Sequence, residues 1–570
     1  MKFLPTTKRE LKLLGWSKLD IILVTGDTYI DSSYIGVSVI GRVLVEVGYR
    51  VGIIAQPDVG SGKDIGRLGE PELFWGVTGG SVDSMVANYT ATKRKRKSDD
   101  FTPGCKNTLR PDRAVIAYSN LIRRHFKQTK PIVLGGVEAS LRRIAHYDFW
   151  SDSIRKSILF DAKADYLVYG MGEKAIVGIA HALSKDCDAT DIRGICYISR
   201  EKRQDYIELP PYQEVVASQL AFVEMFKLFS ENADSVSAAG LSQKQDTRYL
   251  IVNPPSVALS MEELDAIHEL TYTNDVHPFY KRQGKVKALD TIRFSVATHR
   301  GCYGQCNFCS ITVHQGRTVQ SRSEDSIIRE VKRLTSFPDF KGQIRDVGGP
   351  TANMYGSKCD KQLAEGSCKH KRCLYPRKCK DMKVAHDRQT QLLTELRKLP
   401  GIKKVSVASG IRYDVVLADR QHGLAYMKEV VNHHVSGQMK IAPEHTVDRV
   451  LKKMGKPWQS SLTDFCDLFA DLTRKARKQQ FLTYYLMAAH PGCTLRDMQA
   501  LKDFTSDRLK VRPEQVQIFT PLPSTWSALM YYTERGSVSG ERLFVEKDPS
   551  GKEEQKRAIV SKPRTRHGRP

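Results

Sequence analysis

Three cysteines with a short, fixed spacing are the residues in this chain best suited to metal chemistry. Cys302, Cys306 and Cys309 follow the pattern C-x3-C-x2-C within the stretch TIRFSVATHRGCYGQCNFCS (291–310). Soft thiolates suit iron–sulfur clusters, and a [4Fe–4S] cube usually takes four of them. Three cysteines would therefore hold three irons and leave the fourth iron open to a small molecule.

A structural zinc site, or three unrelated thiols, are the alternatives for this loop. A zinc site favours four ligands in paired spacing, whereas the cysteines here are separated by three and then two residues. Phe308 stands directly before the last cysteine, and Gly301 and Gly304 leave the backbone free to wrap closely around a cluster. The pattern favours an iron–sulfur cluster.

A second group of cysteines lies on a lysine-rich insertion at 355–383. Four thiolates can close a site around zinc or around an auxiliary iron–sulfur cluster, and the irregular spacing does not choose between them. His370 and His386 could substitute for one thiolate, and reduced cysteines in a basic flap are the alternative without a metal. The four are Cys359, Cys368, Cys373 and Cys379.

The elements that must position both groups alternate between strand and helix from 291 to 540. Ile292, Phe294 and Val296 alternate with polar residues, as in a strand, and this strand leads directly into the cysteine loop. Apolar stripes at helical spacing separate the later strands. The pattern predicts a partial, TIM-like (β/α)6 barrel with its chemistry at the carboxyl ends of the strands. The strands are predicted at 291–297, 343–348, 402–409, 436–442, 481–489 and 515–520.

Polar or glycine-rich sequences follow each of the later strands. Turn chemistry would explain any one of them, because glycine and proline punctuate loops. Together, on the same side of one barrel as the cysteine loop, they predict a ligand site. The sequences are DVGGP (346–350), SGIRYD (409–414), APEH (442–445), HPGCT (490–494) and TPLP (520–523).

The first 204 residues predict a doubly wound α/β domain. Strand, helix and strand at this length form a βαβ unit and imply a parallel sheet, with its ligand face at the carboxyl ends of the strands. Residues 205–290 are predicted to be a connector that packs against both domains, and 541–570 a basic tail with a short helix and a disordered end. The N-terminal strands are predicted at 21–24, 51–55, 113–117, 131–134 and directly after Asp165.

The composition indicates a large cytoplasmic protein. At 570 residues, two or three domains are expected. No apolar run approaches the roughly 18 residues of a transmembrane helix, and the N-terminus lacks the features of a signal peptide, so no membrane partner is expected. Seven of the twelve cysteines fall in the two groups, which favours metal ligation over disulfides.

The formal net charge of +25 is the strongest compositional feature. It indicates either a solvated basic surface or an anionic partner, with RNA as the leading candidate. Charge alone names no partner. An enzyme that modifies RNA, and a non-catalytic, metal-stabilised nucleic-acid-binding protein, are therefore the rival functions. Positive charge is concentrated at 93–97, at 358–383 and after Lys547.

Several long motifs cover nearly the whole chain. They are GDTYID, VGIIAQPD, LGGVEASLRR, RGCYGQCNFCSI, DVGGPTANMY, LPGIKKVSVASGIRYD, KIAPEH, HPGCT and MYYTER. Together they resemble the YgiQ family, a branch of the radical SAM superfamily. The resemblance implies that the three loop cysteines ligate a [4Fe–4S] cluster whose open iron binds S-adenosylmethionine (SAM). An electron from a donor such as flavodoxin or ferredoxin would then cleave SAM and release a 5′-deoxyadenosyl radical, which acts on an unknown substrate.

The resemblance also implies how the amino group of SAM is held. In the wider superfamily the second strand ends in a Gly-Gly-Glu-like motif that receives this group. Here Gly348 and Gly349 match, and Pro350 replaces the acidic residue. Asp346 either supplies the missing charge or points into the barrel wall.

Three residues at the next strand ends are implied candidates for the ribose and carboxylate of SAM. They are Ser409, Arg412 and Glu444. Arg412 has an ordinary salt bridge with Asp414 as its alternative. No catalytic residue acting on the substrate is identified.

The N-terminal domain resembles that of many radical SAM proteins, which is similar to a cobalamin-binding domain. The D-x-H-x-x-G motif that supplies the lower histidine ligand of cobalamin is absent. After the first strand the chain reads DTYID (27–31), without a histidine. No cobalamin is therefore expected.

Overall fold

A computed structural model of the chain describes residues 2–513, 516–537 and 540–560. The N-terminal half contains strands β1 (Ile21–Thr25), β2 (Ile30–Asp31), β3 (Val51–Ala55), β4 (Phe74–Thr78), β5 (Ile132–Gly135), β6 (His146–Asp148), β7 (Ser153–Arg155), β8 (Tyr166–Val168), β9 (Ile195–Ser199), β10 (Ile207–Leu209), β11 (Leu241–Gln245), β12 (Arg248–Val252) and β13 (Asp275–Val276). Within the described residues, one nine-stranded sheet has the order β10-β11-β12-β9-β8-β5-β4-β1-β3.

The core of this sheet is parallel and buried. Strands β3, β1, β4, β5 and β8 pair in parallel. The sequences IILVT of β1 and VGIIA of β3 are buried at every position. Helices therefore cover both faces, as expected for parallel strands, and the predicted α/β domain is confirmed. The helices of this half are α1 (Lys8–Leu13), α2 (Gly36–Glu46), α3 (Ser84–Asn88), α4 (Ala114–His125), α5 (Gly136–Leu141), α6 (Ile158–Asp161), α7 (Glu173–Ser184), α8 (Tyr212–Ala217), α9 (Gln219–Glu231), α10 (Met261–Glu269), α11 (Pro278–Lys281) and α12 (Ala288–Ile292).

One predicted strand of this half is wrong. Residues 113–117 begin helix α4, whose buried face includes Val115, Tyr118 and Ile122. A five-residue apolar window does not distinguish a strand from the first turn of a buried helix, so only the longer stripe reveals the helix. The strand that pairs between β1 and β5 is instead β4, whose sequence is FWGVT.

The segment predicted as a connector extends the sheet. Strands β10, β11 and β12 follow residue 204, and β12 pairs antiparallel with β9. The sheet is therefore mixed, with a parallel core and an antiparallel extension. The strand signal of β11 is weaker than that of β1 or β3, because its sequence, LSQKQ, contains one apolar residue.

Paired charges fill the carboxyl edge of this sheet. Arg110 donates to Asp27 at 2.8 Å and to Asp99 at 3.0 Å, and all three side chains are almost fully buried. Arg142 pairs in the same way with buried Asp83. The pKa of Arg110 is raised, because the two carboxylates outweigh the cost of burial, which acts in the opposite direction.

A glycine at this edge makes space for a side chain that packs against it. A Cβ on Gly79 would lie 2.3 Å from Oε2 of Glu138. The Glu138 carboxylate accepts hydrogen bonds from the backbone of Ser84 at 2.9 Å and of Val115 at 3.2 Å. Beside β1, β4 and β5 the edge is thus closed by internal contacts.

The C-terminal half is a partial barrel. It contains strands β14 (Ser295–Ala297), β15 (His299–Arg300), β16 (Gln320–Ser321), β17 (Gln343–Ile344), β18 (Asp346–Gly348), β19 (Lys404–Val405), β20 (Gln438–Glu444), β21 (Phe481–Ala488) and β22 (Gln517–Ile518). The wall pairs in parallel as β14 with β18, β17 with β19, and β20 with β21 and β22. The carboxyl ends of these strands therefore lie on one side, as predicted.

Most predicted strand bounds of the barrel shift. The strand predicted at 402–409 shortens to β19, the one at 436–442 becomes β20, and the one at 343–348 divides into β17 and β18. The first strand starts only at Ser295, because α12 occupies Ala288–Ile292. The last was predicted to begin at residue 515, which lies outside the described residues, and β22 covers Gln517–Ile518.

The helices between the barrel strands bury their predicted apolar stripes. Ile327, Val331 and Leu334 are fully buried in the barrel core with Val296 and Ile344. The helices are α13 (Ile311–His314), α14 (Glu324–Thr335), α15 (Asp360–Glu365), α16 (His386–Lys398), α17 (Tyr413–Ala418), α18 (Gly423–Glu429), α19 (Asp448–Met454), α20 (Gln459–Lys475), α21 (Leu495–Asp507), α22 (Trp526–Thr533) and α23 (Pro549–Arg557).

The segment predicted as a basic tail contains helix α23. Lys552 donates to the Tyr531 hydroxyl at 2.9 Å, and Gln555 accepts from the backbone of Ala489 at 2.9 Å. The helix is thus packed on the barrel. The predicted disordered end falls on residues 561–570, which lie outside the described residues. Nowhere in the described ranges is a helix long and apolar enough to cross a membrane.

Candidate active site

The three loop cysteines lie on a hairpin at the carboxyl end of β14. Strands β15 and β16 pair antiparallel, His299 beside Ser321 and Arg300 beside Gln320, and close the loop at its base. Gly301 has a φ of +79°, and a Cβ there would lie 2.0 Å from the carbonyl oxygen of Thr318. Only glycine therefore permits the loop to return this closely on itself.

The three thiols face a common region. Cys302, Cys306 and Cys309 are half-buried and free of disulfides. A Cβ on Gly304 would lie 3.2 Å from the Cys302 sulfur and 3.8 Å from the Cys306 sulfur, and the Gly304 amide donates to Cys302 at 3.3 Å. Burial raises the pKa of Cys302, and it raises the pKa of Cys309 to about 12. A bound metal would favour the thiolate form of both.

The donor set fits an iron–sulfur cube better than a single ion. Among the described residues, no three histidine, cysteine or acidic side chains converge on the position of one metal ion. A cube places each thiolate on a different iron, so its cysteines need not converge on one point.

Arg412 lies beside this loop. Its guanidinium group binds Asp414 in a fork, at 2.9 Å from Nε and 2.7 Å from Nη2. The remaining nitrogen, Nη1, lies 3.6 Å from the sulfur of Cys306. The salt bridge considered as an alternative from the sequence is thus present, and it aims the third edge of the guanidinium group at the cysteine loop.

The Gly-Gly-Pro strand end packs tightly against the cysteine hairpin. A Cβ on Gly349 would lie 2.6 Å from the His299 ring. The Gly348 carbonyl accepts from the amide of Thr298 at 2.8 Å and from its hydroxyl at 3.2 Å. The carbonyl of Gly348 is thus already in use.

Asp346 points into the barrel wall. Its carboxylate accepts from the amides of Ala408 at 2.7 Å and Ser409 at 3.1 Å, and from the Ser409 hydroxyl. These contacts join the second strand end to the third. Asp346 and Ser409 are therefore bonded to each other. Asp346 does not supply the negative charge that the Gly-Gly-Glu-like motif would place at position 350.

Glu444 has a different environment at the fourth strand end. Its φ of +67° is rare for a residue other than glycine, and such strain concentrates at functional sites. Its carboxylate accepts no hydrogen bond from another described residue. Burial raises its pKa, and the positive charge of Lys456 acts in the opposite direction. Glu444 is thus an acidic group at the site with unused acceptor capacity.

The histidines after the fourth and fifth strand ends serve the fold. His445 lies 3.6 Å from the sulfur of Cys493, and His490 lies 2.7 Å from the Ser527 hydroxyl. All are buried, and burial lowers the pKa of His445 to about 4 and that of His490 to about 3. Neutral, internally bonded rings hold these strand ends together.

The four cysteines of the insertion lie near one another. Lys358 and Lys383 pair across the base of the insertion, with hydrogen bonds of 3.0 and 2.8 Å. The pKa of Cys373 is raised to about 12, first by burial and then by the neighbouring thiols. These neighbours are Cys359, Cys379 and Cys368.

Tyr303 connects the two groups of cysteines. It stands between Cys302 and Cys306 in the sequence and is fully buried. Its ring packs in one apolar cluster with Cys359 and Leu374 of the insertion. The insertion is therefore built directly against the cysteine hairpin.

Sequence reasoning missed the contacts that join the two halves at this loop. Arg300 of the hairpin donates to Glu173 of α7 at 2.5 Å, and both are buried. His314 lies 3.0 Å from the Ser140 hydroxyl. A small, open cavity beside Cys306 and Cys309 is lined by Arg143 from the N-terminal half. The one available signal was the double arginine that ends LGGVEASLRR.

Comparisons with known proteins agree with this architecture. The family profile described as "Radical SAM N-terminal" matches residues 3–295. UPF0313 protein FN0734 of Fusobacterium nucleatum is 56% identical over 567 residues, which cover 99% of this chain and 100% of that protein. A UPF0313 protein of Thermotoga neapolitana is 48% identical over 570 residues and covers all of both chains.

One solved structure has a similar fold. It is the radical S-adenosylmethionine methyltransferase TsrM of Kitasatospora setae with cobalamin and a [4Fe–4S] cluster bound. The TM-score is 0.51 at 14% identity, and the match covers 94% of this chain and 84% of that chain.

That structure contradicts the expectation that no cobalamin is bound. The expectation was drawn from the missing histidine motif, yet TsrM combines a similar architecture with cobalamin. A histidine supplies only one axial ligand of the cobalt, so the absence of the motif removes a ligand and does not exclude the cofactor.

Proposed function

Because the chain belongs to the UPF0313 (YgiQ) family and to the radical SAM superfamily, we propose that it cleaves SAM reductively at a [4Fe–4S] cluster held by Cys302, Cys306 and Cys309. The observation that supports this most is three free, half-buried thiols on one hairpin at the carboxyl end of β14. A cluster held by these cysteines would pass one electron from an external donor to SAM, which would give methionine and a 5′-deoxyadenosyl radical that could remove hydrogen from the substrate.

The chain's own residues tune the cluster site. The Gly304 amide donates toward Cys302, and Nη1 of Arg412 lies beside Cys306. Hydrogen bonds and positive charge near the sulfurs of a cluster favour its reduced, more negative state. These two groups therefore ease entry of the electron.

We assign SAM binding to Gly348, Gly349, Ser409, Arg412 and Glu444 at the adjoining strand ends. The free carboxylate of Glu444 takes the amino group, because Pro350 offers no charge and Asp346 is bonded within the wall. A positively charged amino group also lowers the cost of keeping this half-buried carboxylate ionised.

A second metal centre at Cys359, Cys368, Cys373 and Cys379 is part of the proposal. The supporting observations are that Cys359, Cys373 and Cys379 pack in one cluster and that the Cys379 amide donates to the Cys373 carbonyl at 2.7 Å. Because no three donors converge on one ion among the described residues, a cluster fits this set better than a single ion. A bound metal would supply structural closure of the insertion, or a second redox centre if it is an iron–sulfur cluster. The backbone bridge between Lys358 and Lys383 holds the two ends of the insertion together.

The likeness to TsrM supports cobalamin as a further cofactor. The described residues leave an open cleft between the end of β8 and the cysteine hairpin, lined by Tyr169, Gly170, Met171 and His314, and this is the place where we propose that it binds. Cobalamin would supply carriage of a methyl group or of electrons. Equilibration with hydroxocobalamin followed by gel filtration should leave about one cobalamin per chain, and none retained would contradict the assignment.

The cleavage reaction is tested with the full-length protein, reconstituted anaerobically with iron and sulfide. SAM and dithionite should yield 5′-deoxyadenosine and methionine. Replacement of Cys302, Cys306 or Cys309 by alanine should abolish the product. The matched control is Cys466→Ala, since Cys466 lies on α20 beside Tyr484 and outside the hairpin. Product formation by any of the three hairpin variants would overturn the cluster assignment.

The second metal centre is tested by metal content. Iron and zinc are measured in the wild type, in Cys373→Ser, and in a variant that lacks the three hairpin cysteines. The hairpin variant should retain the metal of the insertion, and Cys373→Ser should lose it. Equal metal content in the wild type and Cys373→Ser would contradict the second centre.

A further inference from the structure

Arg143 is an exception among the buried arginines of this protein. In the described ranges, seven arginine residues are less than a tenth exposed. Six of them form a salt bridge with a carboxylate, namely Arg42, Arg110, Arg142, Arg300, Arg322 and Arg412. Arg143, at 3% exposure, has no carboxylate partner among the described residues.

The contacts of Arg143 leave part of its guanidinium group unused. Nη1 donates to the Ser140 carbonyl at 2.6 Å, and the group stacks between Tyr169 at 4.5 Å and Phe229 at 4.4 Å. Nε is buried and makes no hydrogen bond. Burial lowers the pKa of Arg143, whereas the paired Arg110 and Arg142 have raised values.

Two more arginines without a salt bridge line the same cavity. Arg317 donates to the carbonyl of Ser230 at 2.9 Å and to its hydroxyl at 3.0 Å. Arg372 donates to the carbonyl of Gln305 at 3.2 Å. In the part of the chain that the structure describes, neither forms an ion pair.

The nearest acidic group does not neutralise this set. Asp234 attracts Arg317 electrostatically. However, its carboxylate accepts from the amides of Val236 at 2.8 Å and Ser237 at 2.9 Å, and from the Ser237 hydroxyl at 2.8 Å. Uncompensated buried charge is costly, and buried charges are normally paired. The thiols of Cys373 and Cys306 attract the half-buried Arg317 and Arg372. Neither thiol acts on the fully buried Arg143. We therefore infer that the partner of Arg143 is an anion from outside the chain.

The position of the cavity relates this anion to the proposed chemistry. Its wall includes Cys306 and Cys309, so the site opens directly onto the cysteine hairpin. Phe226 and Trp526 add an aromatic surface, and their ring centroids lie 4.8 Å apart. Five separate segments meet here, from the N-terminal domain, the segment 205–290, the cysteine hairpin, the insertion and the chain around Trp526.

We propose that Arg143, Arg317 and Arg372 bind the oxyanion group of a small-molecule substrate, a phosphate or a carboxylate, and hold its remaining part against the aromatic wall beside the cluster. The proposal rests on the proposed function, since it places the substrate next to the radical source. Arginine suits this role because its planar fork matches both oxyanions in a bidentate geometry.

The binding test uses full-length, cluster-loaded protein and radiolabelled inorganic phosphate in chloride buffer at constant ionic strength. Anaerobic equilibrium dialysis should show one saturable phosphate per chain. Arg143→Gln, Arg317→Gln and Arg372→Gln should each weaken binding at least tenfold. The matched control is Arg329→Gln, because Arg329 is exposed and paired with Glu269, and its affinity should equal that of the wild type. Equal affinity in all variants would overturn the proposal.

Further arms separate the rival explanations. Succinate replaces phosphate in parallel, and preference for one of the two identifies a phosphorylated or a carboxylate substrate, while binding of neither overturns the proposal. Displacement of phosphate by SAM would assign the arginines to the carboxylate of SAM and overturn it. Binding only in cluster-free protein would make the arginines counterions of the cluster, with the same consequence.

Folding is checked so that a collapsed variant is not counted as support. Far-UV circular dichroism is compared for every variant, and Arg143→Lys, which keeps the charge without the fork, should retain weakened binding. Complete loss of binding in a folded Arg143→Gln variant with full binding in Arg143→Lys would contradict the bidentate role. Because phosphate binding is measured without turnover, failure of SAM cleavage in the wild type would reject the proposed function alone.

Discussion

The carboxyl edges of the two parallel sheets in this protein are built from similar sequences and finished differently. Both carry glycine-rich turns followed by charged residues. At the N-terminal edge, Arg110 and Arg142 are bonded to carboxylates of the same edge. At the barrel edge, Glu444 lacks a partner among the described residues and three thiols remain free. The difference teaches that internal pairing of polar groups, more than their type, separates a structural edge from a reactive one.

The largest effect is expected where the closed edge is broken. Arg110→Met leaves Asp27 and Asp99 buried without a counter-charge and should lower the free energy of unfolding by about 3–5 kcal/mol. Urea unfolding followed by circular dichroism measures this loss. Arg329→Met, which removes an exposed pair with Glu269, should leave the unfolding curve nearly unchanged, because solvent screens such a pair. Similar losses in both variants would remove the basis of the comparison.

A matched pair of glycines tests the same contrast by volume. In Gly79→Ala the new methyl group would meet Glu138 at 2.3 Å, whereas a Cβ on Gly410 meets nothing within 4 Å. Gly79→Ala should lower the free energy of unfolding by about 1–3 kcal/mol through overpacking. Gly410→Ala should change it by less than about 0.5 kcal/mol. Equal thermal shifts would show that both edges are equally filled.

These expectations also show how far the sequence could be read. Long apolar strands such as β1 and β3, and helical stripes such as the one through Ile327 and Val331, are local patterns and were predicted correctly. The fold class followed from their alternation. The segment 113–117 was predicted wrongly as a strand, because a short apolar window is compatible both with a strand and with the start of a helix.

The site was readable only where its residues are close in sequence. The hairpin cysteines lie within eight positions of one another. Arg143, Arg317 and Arg372 come from three distant segments of the chain, and no local sequence pattern indicates that they line one cavity. The same holds for Asp346, whose bonds to the loop after β19 are fixed by tertiary structure. Cobalamin was misjudged because one missing motif was taken as excluding the whole cofactor.

An acid-linked loss of stability is expected from the N-terminal half. Although burial acts in the opposite direction, hydrogen bonds from His277, Thr6 and Thr7 lower the pKa of Glu10 to about 2. Its ionised form therefore adds stability above the unfolded pKa of about 4.5, and this is lost as the pH falls from about 4.5 to about 2. The partly exposed group should contribute about 1–2 kcal/mol. Glu10→Gln should flatten the pH dependence in this window, and an unchanged profile would contradict the assignment.

Glu444 should show the opposite sign at the barrel edge. Burial raises its pKa, so its contribution to stability is greatest below the unfolded value and declines as the pH rises through the folded one. Glu444→Gln should therefore raise the free energy of unfolding at pH 7 by less than about 1 kcal/mol. It should also weaken SAM binding, measured by equilibrium dialysis. Destabilisation by this substitution would mean that the carboxylate has an internal partner.

The bridge between Lys358 and Lys383 has an architectural consequence. The cysteine-bearing insertion leaves and re-enters the barrel at a single antiparallel contact, so its two ends are already joined in space. The insertion can therefore be deleted as a unit. A short turn between these two lysines would preserve the order of the barrel strands, and the resulting variant would keep the hairpin cysteines without the cysteines of the insertion.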